Sequence, residues 1–180
     1  MRTPPTLALL ATAALTLGAC ANQAQPPVPE TIAPAWGTGG EVVSAGRLYF
    51  AGQPSPDGLK AVRESGVNVV IDLRGVDERR WDEAAAAKAA GLAYHHVPVP
   101  RGTAQPYSRE GVAKIEAILA DNPDANVLVH CASGSRVAGW YAIYLAQTLG
   151  LSTDEAIDAA GDTGLLRSSS AAAARAYLSE

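Results

Sequence analysis

Val127-Leu-Val-His-Cys-Ala-Ser-Gly-Ser-Arg-Val-Ala-Gly-Trp140 decides how this chain reads. Val127–Val129 has the apolar run of a buried strand, with Cys131 just beyond its C-terminal tip. A small-residue loop follows, Ala132, Ser133, Gly134 and Ser135, then Arg136 and a helix expected to reach Leu149. Strand, tight loop and helix in that order form an anion cradle. Loop N–H groups converge, and the helix N-terminus adds partial positive charge. That field favours a thiolate at Cys131, and Arg136 adds a planar fork of donors for an oxyanion. A strand-end Cys is most often a small buried packing residue. Packing alone, however, calls for neither Gly134, nor two serines, nor an arginine at a helix start. The stretch therefore reads as a cysteine nucleophile, Cys131, aimed at an anion held by residues 132–136.

Working outward, strands and helices alternate. Short strands are expected at Arg47–Phe50, Val67–Leu73 and Tyr94–Val99. Helices are expected from Ser55 or Asp57 to Ser65, at Asp77–Ala90, from the Ser108 cap to Asn122, and at Ser170–Leu178. Ser152-Thr-Asp-Glu155 matches a capping box that opens another. This pattern implies one α/β domain, with a mostly parallel central sheet flanked by helices. In such sheets ligands sit beyond the strand C-termini, where both Asp72 and Cys131 fall. Trp81, Trp140, Tyr141 and Tyr144 read as packing residues. His95, His96 and His130 carry no metal-ligand spacing, so neither metal nor cofactor is expected.

With 180 residues, 48% hydrophobic and 18% charged, the chain can bury a core without disulfides. Its net charge of −4 argues against nucleic acid as a general partner. Residues 1–20 read as a targeting segment: Arg2, an apolar run at Leu7–Leu17, then Leu17-Gly-Ala-Cys20. That ending resembles a bacterial lipoprotein signal, with Cys20 the lipidated residue; ordinary secretory cleavage or an uncleaved anchor are the alternatives. The lipoprotein reading implies export and a lipid anchor on the periplasmic side of the envelope, with the residue after Cys20 favouring the outer membrane. It also leaves Cys131 as the single free thiol in an oxidising compartment. Residues 21–40, rich in Pro and Gly, read as a tether, in which Trp36 either docks on the domain or is a stray linker aromatic. The folded domain is expected over residues 41–180.

His130-Cys-Ala-Ser-Gly-Ser-Arg136 resembles cysteine-dependent phosphatases of the tyrosine and dual-specificity type. Together with Phe50-Ala-Gly-Gln-Pro54, Val69-Val-Ile-Asp-Leu-Arg74, Glu78 and Gly91-Leu-Ala-Tyr94, it resembles the phosphatase-like domain of β-lactamase hydrolase-like proteins. The resemblance implies metal-free hydrolysis of a phosphorylated substrate. Cys131 would form a phosphocysteine, with residues 132–136 binding phosphate. His130 either orients the loop or tunes the thiol, or is a satisfied buried histidine. Three departures follow. Four residues, not five, separate Cys131 from Arg136, a spacing similar to rhodanese sulfurtransferase loops. Val137 stands where a hydroxyl residue usually follows the arginine. Pro100–Pro106 lacks the usual general-acid carboxylate, which makes Asp72 the substitute acid, unless it pairs with Arg74 or braces a loop. Arg74 and Glu78 are expected to pair beside the pocket, and Arg101 either meets an anionic substrate or lies idle in solvent. A sulfurtransferase carrying a persulfide on Cys131, and a non-catalytic module for oxyanions or phosphorylated ligands, remain the competing readings.

Overall fold

The structure, a computed structural model, describes residues 25–34 and 36–180. The targeting segment and Cys20 lie outside the described residues. Among the described residues no helix is long and apolar enough to cross a membrane.

The strand that carries Cys131 at its tip, Asn126–His130, lies inside a six-stranded sheet. In chain order the elements are β1 (Glu30–Ile32), β2 (Val42–Ala45), β3 (Leu48–Ala51), α1 (Gly58–Glu64), β4 (Val67–Asp72), α2 (Glu83–Ala89), β5 (Ala93–His96), α3 (Arg109–Asp121), β6 (Asn126–His130), α4 (Ser135–Leu149), α5 (Thr153–Gly161) and α6 (Ser168–Leu178). The sheet order is β1-β2-β3-β6-β4-β5. β3, β6, β4 and β5 pair in parallel, while β1 and β2 extend one edge antiparallel.

Alternation along the central strands explains the layers. Val127 and Val129 of β6, with Val69 and Ile71 of β4, pack into a core beneath α3 to α6. Leu128 and Val70 point the other way, into a smaller core with Leu59 and Val62 of α1 and Ala87 of α2. Both sheet faces are therefore covered, as a parallel sheet requires. Each fully buried Val, Leu or Ile contributes about 1.5–3 kcal/mol. Trp140 and Tyr141 are buried as packing residues, and the Ser152–Glu155 capping box opens α5 as its sequence implies.

Three elements differ from their sequence expectation. The helix expected over Asp77–Ala90 is broken into a single 3-10 turn, Val76–Glu78, and α2. Glu78 turns back to accept the Gly75 N–H at 2.9 Å, and Asp82 caps a fresh helix by accepting from Ala85 N at 3.0 Å. β5 stops at His96 rather than Val99, since Pro98 has no N–H for a ladder. Val97 and Val99 still bond the carbonyls of Asp72 and Leu73, which keeps the following loop beside the end of β4. Finally, part of the expected tether is structured. Glu30–Ile32 pairs with β2, and Trp36 is fully buried, its indole N–H donating to Ser65 at 3.1 Å.

Candidate active site

Cys131 sits where β6 gives way to the loop, and is 1% exposed. Its Sγ accepts the Gly134 N–H at 3.1 Å. Gly134 holds φ +85°, and a Cβ there would meet Leu165 at 3.1 Å, so only glycine turns the loop at this point without strain. On the other wall Gly52 bridges Ser133, and a Cβ on Gly52 would stand 3.1 Å from the Ala132 carbonyl. α4 begins at Ser135, directly beyond the loop. The Ser135 hydroxyl is turned aside: it lies 2.9 Å from the Ser170 hydroxyl and accepts the Arg167 N–H at 3.3 Å. What Ser135 offers an anion is therefore its backbone, at the N-terminus of α4, where helix N–H groups lack intrahelical acceptors.

Arg136 is clamped from behind. Its Nη1 and Nη2 each donate to Glu78 at 2.7 Å, and Nη1 also reaches the Val99 and Leu73 carbonyls at 2.8 and 3.3 Å. Tyr107 fixes the same residue by donating to its carbonyl at 2.9 Å. Burial works against the charge on Arg136, but Glu78 and the nearby Cys131 outweigh it and raise its pKa. Burial likewise pushes the Glu78 carboxyl up, and Arg136, with the Gly75 N–H, more than reverses this. Glu78 is thus a carboxylate that holds the arginine, and its expected partner was Arg74. The partners are exchanged because Glu78 lies on the turn that faces α4.

Asp72 is fully buried and does not reach the pocket. Its two oxygens accept from Arg74 N, Nε and Nη2 at 2.8–2.9 Å, and from the Tyr94 hydroxyl at 2.8 Å. Burial raises its pKa, yet Arg74, His130 and Tyr94 together bring it below the ordinary carboxylate value. A buried carboxylate held ionised by arginine has no proton to give, so the expectation of Asp72 as general acid is corrected to a structural ion pair. Arg74 continues the network to Gln53 and to the buried Glu83. His130 Nε2 lies 3.0 Å from Glu83 Oε1 but is not aligned as a hydrogen bond. Its Nδ1 lies 3.4 Å from the Cys131 carbonyl, which links this network to the loop. Oxygen and nitrogen atoms of Asp72, Glu83 and His130 lie within 4.8 Å of one another. The Arg74 guanidinium, bonded to both carboxylates, already supplies the cation there and would oppose a metal ion.

In front of the cradle opens a cavity of about 340 Å³. Arg101 and Thr103 of the loop after β5, Ser133 and Arg136, and Arg167 and Ser169 at the start of α6 line it, with no carboxylate among its lining residues. A larger cleft of about 390 Å³, beside Arg47 and Glu116, contains none of these groups, so volume does not identify the site. Lining of the smaller cavity by Ser133, Ser135 and Arg136, on the loop and helix start that follow Cys131, does; Cys131 itself is buried behind them and is not among the lining residues. Glu83, Gln53, Tyr94, Tyr107 and Arg167 carry no sequence signal of their roles: Glu83, for instance, reads only as an acid in a first helical turn. The serines at 168–170 do mark a helix start after Arg167, but not what it faces.

Comparison with known proteins bears on the fold and the family. Over 102 residues the chain is 35% identical to the β-lactamase hydrolase-like proteins of two Xylella fastidiosa strains, a stretch covering 54% of this chain and 23% of theirs. The match thus spans under a quarter of the curated relatives' length. Three solved structures share the fold. Tk-PTP superposes with TM-score 0.64 at 23% identity, covering 74% of this chain and 91% of its own. TpbA of P. aeruginosa in complex with phosphotyrosine gives 0.61 at 18%, covering 83% and 90%. A Shewanella putrefaciens CN-32 protein described as "Putative phosphatase (DUF442)" gives 0.57 at 22%, covering 86% and 88%. Most of the folded part, residues 37–171, matches the profile described as "DSP-PTPase phosphatase fused to NAD+ Kinase", and the chain belongs to that phosphatase family.

Proposed function

We propose that the chain is a cysteine-dependent phosphatase that hydrolyses phosphate monoesters through a phosphocysteine on Cys131. The observation that carries this reading is the Gly134 N–H on Cys131 Sγ, with Arg136 clamped beside it by Glu78. Cys131 thiolate attacks phosphorus, an S–P bond forms and the P–O bond to the leaving group breaks. The N–H groups of residues 132–135 and the guanidinium of Arg136 hold the equatorial oxygens as charge builds on them. Water then attacks the phosphocysteine, returns the electron pair to sulfur and frees phosphate. His130 positions the loop through the Cys131 carbonyl.

Both carboxylates near the loop are committed to arginines, so departure of the leaving group proceeds without a carboxylic acid. That predicts turnover that rises steeply as the leaving group becomes more acidic, since a missing acid costs about 10²–10⁴-fold. One observation favours the alternative of an oxyanion-binding module, namely the absence of that acid from the pocket lining. Steady-state assay of the full chain in detergent separates the two. Hydrolysis of an aryl phosphate, absent in Cys131→Ser, is expected; tight phosphate binding without turnover would support the module. Turnover of thiosulfate in place of the aryl phosphate would point to sulfur transfer.

We also infer that Cys20 carries a lipid and tethers the domain at the periplasmic face of the envelope. Support comes from the sequence Leu17-Gly-Ala-Cys20 after an apolar run. Expression with labelled fatty acid tests this: label retained on the wild-type chain and lost in Cys20→Ala is expected, and label on neither would refute it.

A further inference from the structure

The pocket is more basic than a single phosphate requires. Arg101 and Arg167 line it together with Arg136, and no carboxylate is among its lining residues. Arg101 is loosely paired, 3.5 Å from Glu78 with its side chain 68% exposed, and Arg167 is exposed. This concentration of positive charge stands on a chain whose net charge is −4. Basic charge gathered in a cleft of an acidic protein draws anions to that cleft.

The same pocket lacks an acid to protonate a departing group. An alkoxide leaves as the strong base of an alcohol, whose acidity is as weak as that of water. A phosphate leaves as a far weaker base, its second pKa being about 6. A leaving phosphate needs no proton, but it needs positive charge to receive it. No aromatic side chain lines the cavity to grip an aryl leaving group. At about 340 Å³ the cavity lies within the range of ligand pockets, with space beyond one phosphoryl group.

We propose that the site also cleaves terminal phosphoanhydrides: Cys131 takes the terminal phosphoryl group of a diphosphate, while Arg101 and Arg167 hold the phosphate that departs. The S–P bond forms as the bridging P–O bond breaks, and the bridging oxygen keeps the electron pair as part of the leaving phosphate. Water then attacks the phosphocysteine. Its oxygen joins phosphorus, sulfur recovers its electron pair, one proton stays on the inorganic phosphate and the other passes to solvent. This inference rests on the phosphatase reading of Cys131, and it adds the class of bond that the surroundings favour.

The test uses the full chain in detergent, in metal-free buffer, with an aryl phosphate, uridine 5′-diphosphate and uridine 5′-monophosphate as probes. The expected kcat/KM for the diphosphate exceeds that for the monophosphate by about 10²-fold or more. Arg101→Ala and Arg167→Ala each lower the ratio of diphosphate to aryl phosphate kcat/KM by about tenfold, and added salt shrinks it further. Inorganic diphosphate and farnesyl diphosphate then distinguish a free from a lipid-borne diphosphate; preference for either supports the proposal. Turnover of aryl phosphate with no advantage for the diphosphate would overturn it, as would a ratio unchanged in the double Arg101→Ala, Arg167→Ala variant. Absence of turnover on every probe would instead remove the phosphatase reading on which it stands.

Discussion

Arg136 meets Glu78 through two 2.7 Å contacts, and that pairing sets where the guanidinium stands relative to Cys131. Glu78→Gln keeps the size of the side chain but removes the charge and one acceptor from the fork. It is expected to lower kcat/KM for an aryl phosphate by about 10²-fold, the scale of a small misplacement of a catalytic group, with little change in overall fold. Steady-state kinetics alongside circular dichroism checks this. Asp72 predicts the opposite division. Asp72→Asn leaves Arg74 buried and incompletely paired, at a cost of about 3–5 kcal/mol. Denaturant unfolding should show that loss, while the dependence of rate on leaving-group acidity stays as steep as in the wild type. A slope made steeper by Asp72→Asn would restore Asp72 as the acid. These two residues also mark the limit of sequence reading. Both stood out in the sequence, and pairing with Arg74 was one of the readings of Asp72; the partner of Glu78 was not legible, because it depended on a broken helix that no local pattern announced.

The turn from β6 into α4 was legible almost residue by residue. Apolar strand, cysteine, small-residue loop and helix each follow from composition and spacing, and the observed bounds lie within a residue of those expected. Gly134→Ala tests the conformational part. At φ +85° an alanine costs about 1–2 kcal/mol, and its Cβ crowds Leu165. Loss of activity greater than loss of stability is the expected result, measured as kcat/KM against unfolding free energy. The edge of the sheet was not legible. Pro and Gly in residues 21–40 suggest a tether, yet Glu30–Ile32 finds the free edge of β2 and Trp36 finds a pocket on α1. Pairing with an available edge is a tertiary choice, invisible to composition. Trp36→Ala is therefore expected to destabilise the domain by about 3–5 kcal/mol, read by thermal or chemical denaturation. An unchanged stability would return that segment to the status of a tether.

For the molecule as a whole, the parallel sheet with helices on both faces places strand ends, loop and α6 around one cavity, and the carboxylates behind it couple stability to pH. Asp72 and Glu78 both titrate below their ordinary values in the folded state. Their contribution is complete above the unfolded carboxylate pKa values, about 3.9 and 4.3, and is lost as pH falls through the lower folded values. The melting temperature should thus hold level from pH 7 to about 5 and fall below about pH 4. A melting temperature that rises on acidification below pH 4 would contradict that assignment. The central claim is the covalent role of Cys131. Its most direct test is mass spectrometry of the full chain, acid-quenched during turnover of an aryl phosphate. A phosphoryl group on the peptide that contains Cys131, formed in the wild type and absent in Cys131→Ser, is expected. Phosphate release that leaves Cys131 unmodified, or that persists in Cys131→Ser, would contradict it.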